Sequence, residues 1–156
     1  MKFRILFLSI AILAAGCVSV EVCDEEYVSE LAARFKTEKD GEIADTTVNA
    51  LTLYGIREGL SDSLLYDSLS TSGFLVPLDP HHDVSRFVLQ IDSLRDTLSI
   101  YYEHEVYMIS YTCGFGSLFT LDPLEYKTGL IKKDTILNEM VDAEYEDNEV
   151  HIWLYL

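Results

Sequence analysis

The residue with the most specific chemistry is Cys17, which directly follows a run of small side chains. The stretch Leu13-Ala14-Ala15-Gly16-Cys17 resembles a lipobox, in which a peptidase cuts before the cysteine and its thiol receives a diacylglycerol. Compact residues are what a peptidase needs beside the cut, and several acyl chains on one cysteine hold a protein stably on a membrane. An ordinary signal cut near Ala15, leaving a free thiol, is the alternative.

The N-terminus has the order of an export signal. Lys2 and Arg4 precede an apolar run over residues 5–15, which is interrupted only by Ser9. A membrane-spanning helix needs about 20 apolar residues, so this run is too short to cross a bilayer permanently. A buried core helix is the alternative. We predict a lipoprotein signal peptide at 1–16, a lipidated Cys17 with its tether at 17–26, and one domain at 27–156.

The two other cysteines, Cys23 and Cys113, could form a disulfide bond in an oxidising compartment. It would close a loop of about 90 residues and stabilise the fold by about 4 kcal/mol in the chain-entropy model. Two unpaired thiols, or pairing with another chain, are the alternatives. Two cysteines so far apart lack the paired spacing of a zinc site.

Two groups of side chains could bind a metal ion. His81-His82-Asp83 follows Asp79-Pro80, but neighbouring side chains on an extended chain point to opposite faces, so a solvated turn is the better interpretation. The second group is acidic and lacks the spacing and the glycine of a calcium loop. We therefore expect no metal or cofactor, and keep as weak calcium candidates Asp142, Glu144, Glu146 and Asp147, with Glu149 beside them.

No pattern of nucleophile and base stands out. Cys113-Gly114-Phe115-Gly116-Ser117 lacks the full dinucleotide fingerprint, and Ser117 is not in a Gly-x-Ser-x-Gly elbow. We predict that the protein is not an enzyme. Trp153 and Tyr155 alternate with aliphatic residues and could form an aromatic strip for sugars, although packing against a neighbouring segment is the simpler interpretation.

The elements that must position these residues are short strands. Apolar and polar residues alternate over 31–36, 87–92, 97–102 and 150–156, and turns are expected at 93–96 and 103–105. Residues 134–144 and 61–69 could instead be short helices. Eight or nine strands at regular spacing predict an all-β fold with a single β-sandwich, Greek-key and immunoglobulin-like in layout.

The charge of the chain excludes some partners. The 156-residue chain has 11 Lys and Arg against 27 Asp and Glu, and the signal removes two of the basic residues, which leaves −18. Such a chain is repelled by phosphate backbones, so we expect no nucleic-acid partner.

With these segments placed, the chain resembles a family of exported Bacteroidetes lipoproteins of unknown function. The resemblance is carried in order by residues 48–55, 62–66, 75–78 and 96–102, then by 107–110 leading into Cys113-Gly114. It implies an all-β domain and brings no catalytic residues.

We expect a non-enzymatic binding or structural lipoprotein of the cell envelope, held to a membrane by its lipid and in contact with an envelope protein. No acidic tract follows Cys17 directly, which favours the inner leaflet of the outer membrane of a Gram-negative bacterium. The alternative is a calcium- or glycan-binding module that uses the acidic loop or the aromatic strip.

Overall fold

The computed structural model describes residues 28–57, 59–127, 129–143 and 149–156. Over these ranges the chain forms two packed sheets, which confirms the predicted all-β sandwich. No helix in these ranges is long and apolar enough to cross a membrane. The strands are β1 (Glu30–Lys39), β2 (Glu42–Asp45), β3 (Val48–Ile56), β4 (Ser63–Thr71), β5 (Gly73–Pro77), β6 (Val84–Ile91), β7 (Leu94–Ser110), β8 (Gly114–Leu121), β9 (Glu125–Tyr126), β10 (Lys133–Ile136), β11 (Met140–Val141) and β12 (Ile152–Tyr155).

The first sheet has five strands, with β1 at its centre. Its order is β10-β12-β1-β2, and β5 pairs with the same edge of β1 as β2 does, but nearer the start of that strand. The pairing of β1 with β12 is parallel, which joins the two ends of the domain. A Cβ at Gly73 would lie 2.1 Å from the carbonyl oxygen of Ala33, so only glycine fits where β5 meets β1.

The second sheet has seven strands in the order β11-β8-β7-β6-β3-β4, with β9 added to β7. All its pairings are antiparallel, and β6, β7 and β8 follow one another as an up-and-down meander. β7 is 17 residues long because its first half pairs with β6 and its second half with β8. It therefore carries the chain from one part of the sheet to the other.

Alternate side chains of both sheets meet in one core. Leu31, Ala33 and Phe35 of β1 face inward together with Ile152 and Leu154 of the neighbouring β12, and all five are buried. Period-2 alternation places every second residue on the same face, which is why these apolar residues share one side. The second sheet contributes its own inward residues, among them Leu51, Leu53, Phe87, Leu89, Leu98, Ile100 and Phe119.

The structure differs from the sequence-based expectations in the number and bounds of the strands. Twelve strands are present in the described part of the chain, not eight or nine, because β2, β9, β10 and β11 have only two to four residues and show no periodicity. The turn expected at 93–96 is Asp92-Ser93, where Asp92 has φ of 53°. The prediction of a turn at 103–105 was wrong, because these residues lie inside β7 and pair with β8.

The two segments with a helical alternative are not helices. Residues 63–71 form β4, and the described part of 134–144 contains the end of β10 and all of β11. In both segments the neighbouring strand supplies a register that a short amphipathic pattern does not reveal: β4 pairs with β3, and β10 pairs with β12. Pairing with a neighbouring strand therefore stabilises the strand conformation in both segments, although the sequence pattern also allows a helix.

Candidate functional site

A cavity of about 430 Å³ lies where the turn after β3 meets the loop between β5 and β6. Its volume is within the range of about 300–1,000 Å³ that is typical of small-molecule sites. Most of its wall is apolar and comes from strands of both sheets. The apolar lining residues are Ile56, Leu60, Leu65, Pro77, Leu78, Val84 and Phe87.

Two arginines and a histidine are among the residues that line this cavity. Arg57 at the end of β3 is exposed, whereas Arg86 on β6 is half-buried and also contacts the hydroxyl of Tyr101. His82 from the β5–β6 loop lines the same space. Two arginines beside one small, mostly apolar cavity are notable because the chain has only 11 Lys and Arg against 27 Asp and Glu.

Two residues that line the cavity, Asp79 and Ser85, belong to a hydrogen-bond network around the buried Tyr102. The Tyr102 hydroxyl lies 2.7 Å from the Ser85 hydroxyl, and it donates to the Asp79 carbonyl oxygen at 3.0 Å. The Asp79 N–H lies 3.1 Å from the Ser85 and the Tyr102 oxygens. Burial raises the pKa of Tyr102, so its hydroxyl keeps its proton. Ser85 and Tyr102 therefore fix the loop that carries Asp79 and His82.

The loop His81-His82-Asp83 is a turn built on Asp79. The His81 N–H donates to Asp79 Oδ1 at 2.8 Å, and His82 Nδ1 lies 2.9 Å from Asp79 Oδ2. The His81 N–H is the largest cause that lowers the pKa of Asp79, and His82 adds to it. The solvated turn predicted for this segment agrees with its exposure, but the sequence did not indicate that His82 faces a cavity.

The acidic segment lies mostly outside the described residues. Of the weak calcium candidates, Glu144, Glu146 and Asp147 fall in the range 144–148, and only Asp142 and the neighbouring Glu149 are described. In the described ranges, no group of three or more His, Cys, Asp or Glu is arranged to hold a metal ion. The calcium interpretation is therefore untested.

Lysine side chains of the neighbouring strands lie over the rings of the two aromatic residues of β12. Lys36 Nζ lies 4.4 Å from the centre of the Trp153 ring, and Lys133 Nζ lies 4.8 Å from the centre of the Tyr155 ring. Trp153 is half-buried and Tyr155 is buried, so the strip is covered more than a free sugar platform would be. A shallow groove remains beside Trp153, with polar groups from Arg34, Asp45, Thr47 and Ser72.

Cys113 and Ser117 lie in the hairpin formed by β7 and β8. Cys113 is in the turn between the strands, not at the end of β7, and its N–H donates to the Ser110 hydroxyl at 3.0 Å. Ser117 lies 3.2 Å from His104 Nε2, which is across the hairpin and apart from the cavity. Cys17 and Cys23 are outside the described residues, so the lipidation and the Cys23–Cys113 pairing stay predictions.

Two buried polar residues were missed by the sequence analysis. Asp96 is 2 % exposed and accepts backbone hydrogen bonds from residues 31 to 35 positions away, on the segment between β9 and β10. His151 is also 2 % exposed, and its Nδ1 accepts a hydrogen bond from the Ala32 N–H at 3.0 Å. Apart from Thr97, which also donates to Asp96, their partners are distant in the sequence, and no local pattern indicates them.

The comparisons with known proteins add a family. Neither the curated proteins nor the solved structures include a match to the chain. A model of a family of unknown function, DUF6452, matches residues 50–156, which include the cavity, Asp96, Cys113 and the last strand. The earlier resemblance to a family without an assigned activity is thereby confirmed in that general form. Because the match covers more than half of the sequence, the chain belongs to the DUF6452 family of unknown function.

Proposed function

We propose that the protein is a lipid-anchored, non-enzymatic module of the cell envelope that binds a small amphipathic anion. The observation that carries the binding proposal is the cavity between the β3–β4 turn and the β5–β6 loop, which has an apolar wall and the exposed Arg57 among its lining residues. An acyl or aryl body would lie against the wall, and a carboxylate or phosphate would contact an arginine.

The polar groups of the cavity support binding more than catalysis. Ser85 is hydrogen-bonded to the buried Tyr102 hydroxyl, and Asp79 accepts from the neighbouring histidine segment. A nucleophile needs a base within hydrogen-bond reach that a third group orients. Here each group instead contributes to holding the loop in place.

The binding proposal predicts a selective response to charge. Decanoate is expected to bind the purified protein measurably in calorimetry, and decanol and decylamine more weakly. Replacing Arg57 by glutamine removes one charge-assisted contact, and it should weaken decanoate binding about tenfold, equivalent to about 1.4 kcal/mol.

Arg95→Gln is the matched control for this experiment. Arg95 is an exposed arginine on β7 that does not line the cavity, and its replacement changes the net charge equally. Decanoate binding should be unchanged in this variant. Equal binding of decanoate and decylamine, or equal weakening by both arginine variants, would contradict the proposal.

The anchor is proposed on the lipobox-like sequence that ends in Cys17. We propose that the lipoprotein is located in the outer membrane of a Gram-negative bacterium of the Bacteroidetes type. When the wild-type chain is expressed in such a host, we expect it to incorporate labelled fatty acid. Cys17→Ser removes the acceptor thiol and should abolish labelling, whereas Cys23→Ser should leave it intact. Equal labelling of the wild type and Cys17→Ser would show that Cys17 is not the site.

The Cys23–Cys113 disulfide bond is part of the same proposal. Cys113 lies in the turn between β7 and β8, where its side chain is partly exposed. The Ser29 hydroxyl donates to the Ser117 carbonyl oxygen, so the chain six residues after Cys23 lies four residues from Cys113 along β8. Six residues can span about 20 Å, and four strand residues cover about 13 Å, so the bridge is within reach.

A second candidate is glycan binding in the groove beside Trp153. The specific observation is that Arg34, Asp45 and Ser72 offer polar groups around a half-buried indole, as sugar hydroxyls require. The calcium alternative has no described geometry to support it, and it remains a hypothesis about the acidic segment. A titration with calcium or with oligosaccharides that gave heat where decanoate gave none would favour these candidates.

A further inference from the structure

The hairpin of β7 and β8 has an unusual composition for this chain. Residues 106–121 include no charged residue, although 24 % of the whole chain is charged. β6 pairs with β7 only as far as Tyr101, and β11 pairs with β8 only at Phe119 and Thr120. Among the described residues, the outer part of the hairpin therefore extends without a neighbouring strand on either side.

Large apolar side chains are exposed at the outer part of this hairpin. We refer to Val106, Met108, Tyr111 and Phe115 as the apolar hairpin end. Their exposed fractions are 64 %, 47 %, 99 % and 73 %. Met108 pairs directly with Phe115, and Val106 is two residues before Met108, so three of the four lie on one face. Clustered apolar exposure of this kind is typical of a contact surface.

The first described residues of the chain lie against this hairpin. The described chain begins at Val28, and the neighbouring Ser29 donates its hydroxyl hydrogen to the carbonyl oxygen of Ser117 in β8. Val28 is eleven positions after Cys17, and a chain of that length can span at most about 40 Å. A lipid on Cys17 would therefore keep β8 within about 40 Å of the membrane, and a Cys23–Cys113 bond would shorten that limit to about 20 Å.

We propose that the apolar hairpin end rests in the surface of the lipid bilayer that holds the acyl chains of Cys17. This inference depends on the lipidation proposed above. Lipid is the occupant that fits best, because the tether brings the hairpin to it at high local concentration and because tyrosine and other aromatic rings favour the membrane interface. The strongly acidic remainder of the domain would be kept away from anionic headgroups, so the uncharged hairpin is the part that can approach.

The native methionines allow a direct test. Once the signal is removed, Met108 in the hairpin and Met140 in β11 are the two methionines of the chain, and they are 47 % and 56 % exposed. Peroxide should oxidise both at similar rates if nothing covers them. In the full lipoprotein reconstituted into phosphatidylcholine vesicles, we expect Met108 to be oxidised several-fold more slowly than Met140, as measured by mass spectrometry.

The same spectra report whether Cys17 carries its lipid, so the two proposals can fail separately. An unmodified Cys17 would overturn the lipid anchor, and with it this inference. An acylated Cys17 with equal oxidation of Met108 and Met140 would overturn the membrane contact alone. Protection of Met108 that decreases when the protein is diluted in excess lipid would show that a second copy covers the hairpin, and this too would overturn the proposal.

Discussion

Replacing Asp96 by asparagine is expected to lower the free energy of unfolding by about 3–5 kcal/mol, although the two side chains have nearly the same shape. Asp96 Oδ1 accepts the N–H groups of Thr97 and Lys127 at 2.8 and 3.0 Å. Oδ2 accepts those of Gly129, Leu130 and Ile131 at 3.1–3.2 Å. In every one of these contacts a backbone N–H group donates to a carboxylate oxygen. The NH₂ group of an asparagine at this position would therefore face at least two N–H groups in either orientation of the amide.

The consequence extends into the core. Leu130 is 6 % exposed and Ile131 is 1 % exposed, and both are held in place by the N–H groups that Asp96 accepts. Burial by itself raises the pKa of Asp96, but the backbone donors outweigh it and the pKa is lowered. A lowered folded-state pKa means that this stabilisation is present above the unfolded value of about 3.9 and is lost as the pH falls through the folded value.

Urea unfolding at pH 7 followed by circular dichroism would measure the loss. Asp92→Asn is the matched control, because Asp92 is exposed in the preceding turn at φ of 53°, a conformation that asparagine adopts readily. It should change stability by less than about 0.5 kcal/mol. If Asp96→Asn were as mild as Asp92→Asn, the carboxylate would not be what holds the segment between β9 and β10.

Several strands could be predicted from the sequence because the alternation of apolar and polar residues is a local pattern. Alternation over 31–36 and 97–102 predicted strands that the structure contains, and their inward residues form the core. Where polar residues interrupted the alternation, the prediction failed. Glu103-His104-Glu105 was predicted to be a turn, but it continues β7 because the partner strand β8 extends the ladder that far.

The site could be predicted only in its parts. The sequence does not indicate that His82 and Arg86 line the same cavity. The cavity forms where the ends of β3 and β5 come together in the fold, and no local sequence pattern predicts that contact. The same holds for Asp96, whose five donors include only one sequence neighbour, Thr97. By contrast, a lipobox is a pattern of consecutive residues, so the lipidation of Cys17 could be predicted from the sequence alone, and it stays a prediction.

Replacing His151 by leucine is expected to cost about 2–3 kcal/mol at pH 7.5, because it removes the acceptor of a buried backbone donor. His151 Nδ1 accepts the Ala32 N–H at 3.0 Å, and the His151 N–H donates to the Ala32 carbonyl oxygen at the same distance. This reciprocal contact joins β1 to the start of β12. The accepting Nδ1 must be unprotonated, so the hydrogen bond exists only for the neutral ring.

The wild type should therefore lose stability in mild acid. Burial lowers the pKa of His151, and the nearby charges of Glu149 and Asp142 offset this only in part. The unfolded chain therefore binds the proton more readily than the folded chain. The contribution of neutral His151 to the free energy of unfolding is fully present above the unfolded-state pKa of about 6.5, and it decreases as the pH falls below that value. Between pH 7.5 and 5.5 we expect a measurable loss of stability, with a limiting slope of about 1.4 kcal/mol per pH unit for one proton.

His151→Leu lacks the titrating group, so its own stability should change less over this interval and the gap to the wild type should narrow at pH 5.5. His81→Leu is the control, since His81 is exposed in the β5–β6 loop and its imidazole is not buried. It should keep both the stability and the pH dependence of the wild type. Urea unfolding of the three proteins at both pH values provides the measurement. If the wild type and His151→Leu lost the same amount in acid, the titrating group would have to be elsewhere in the fold.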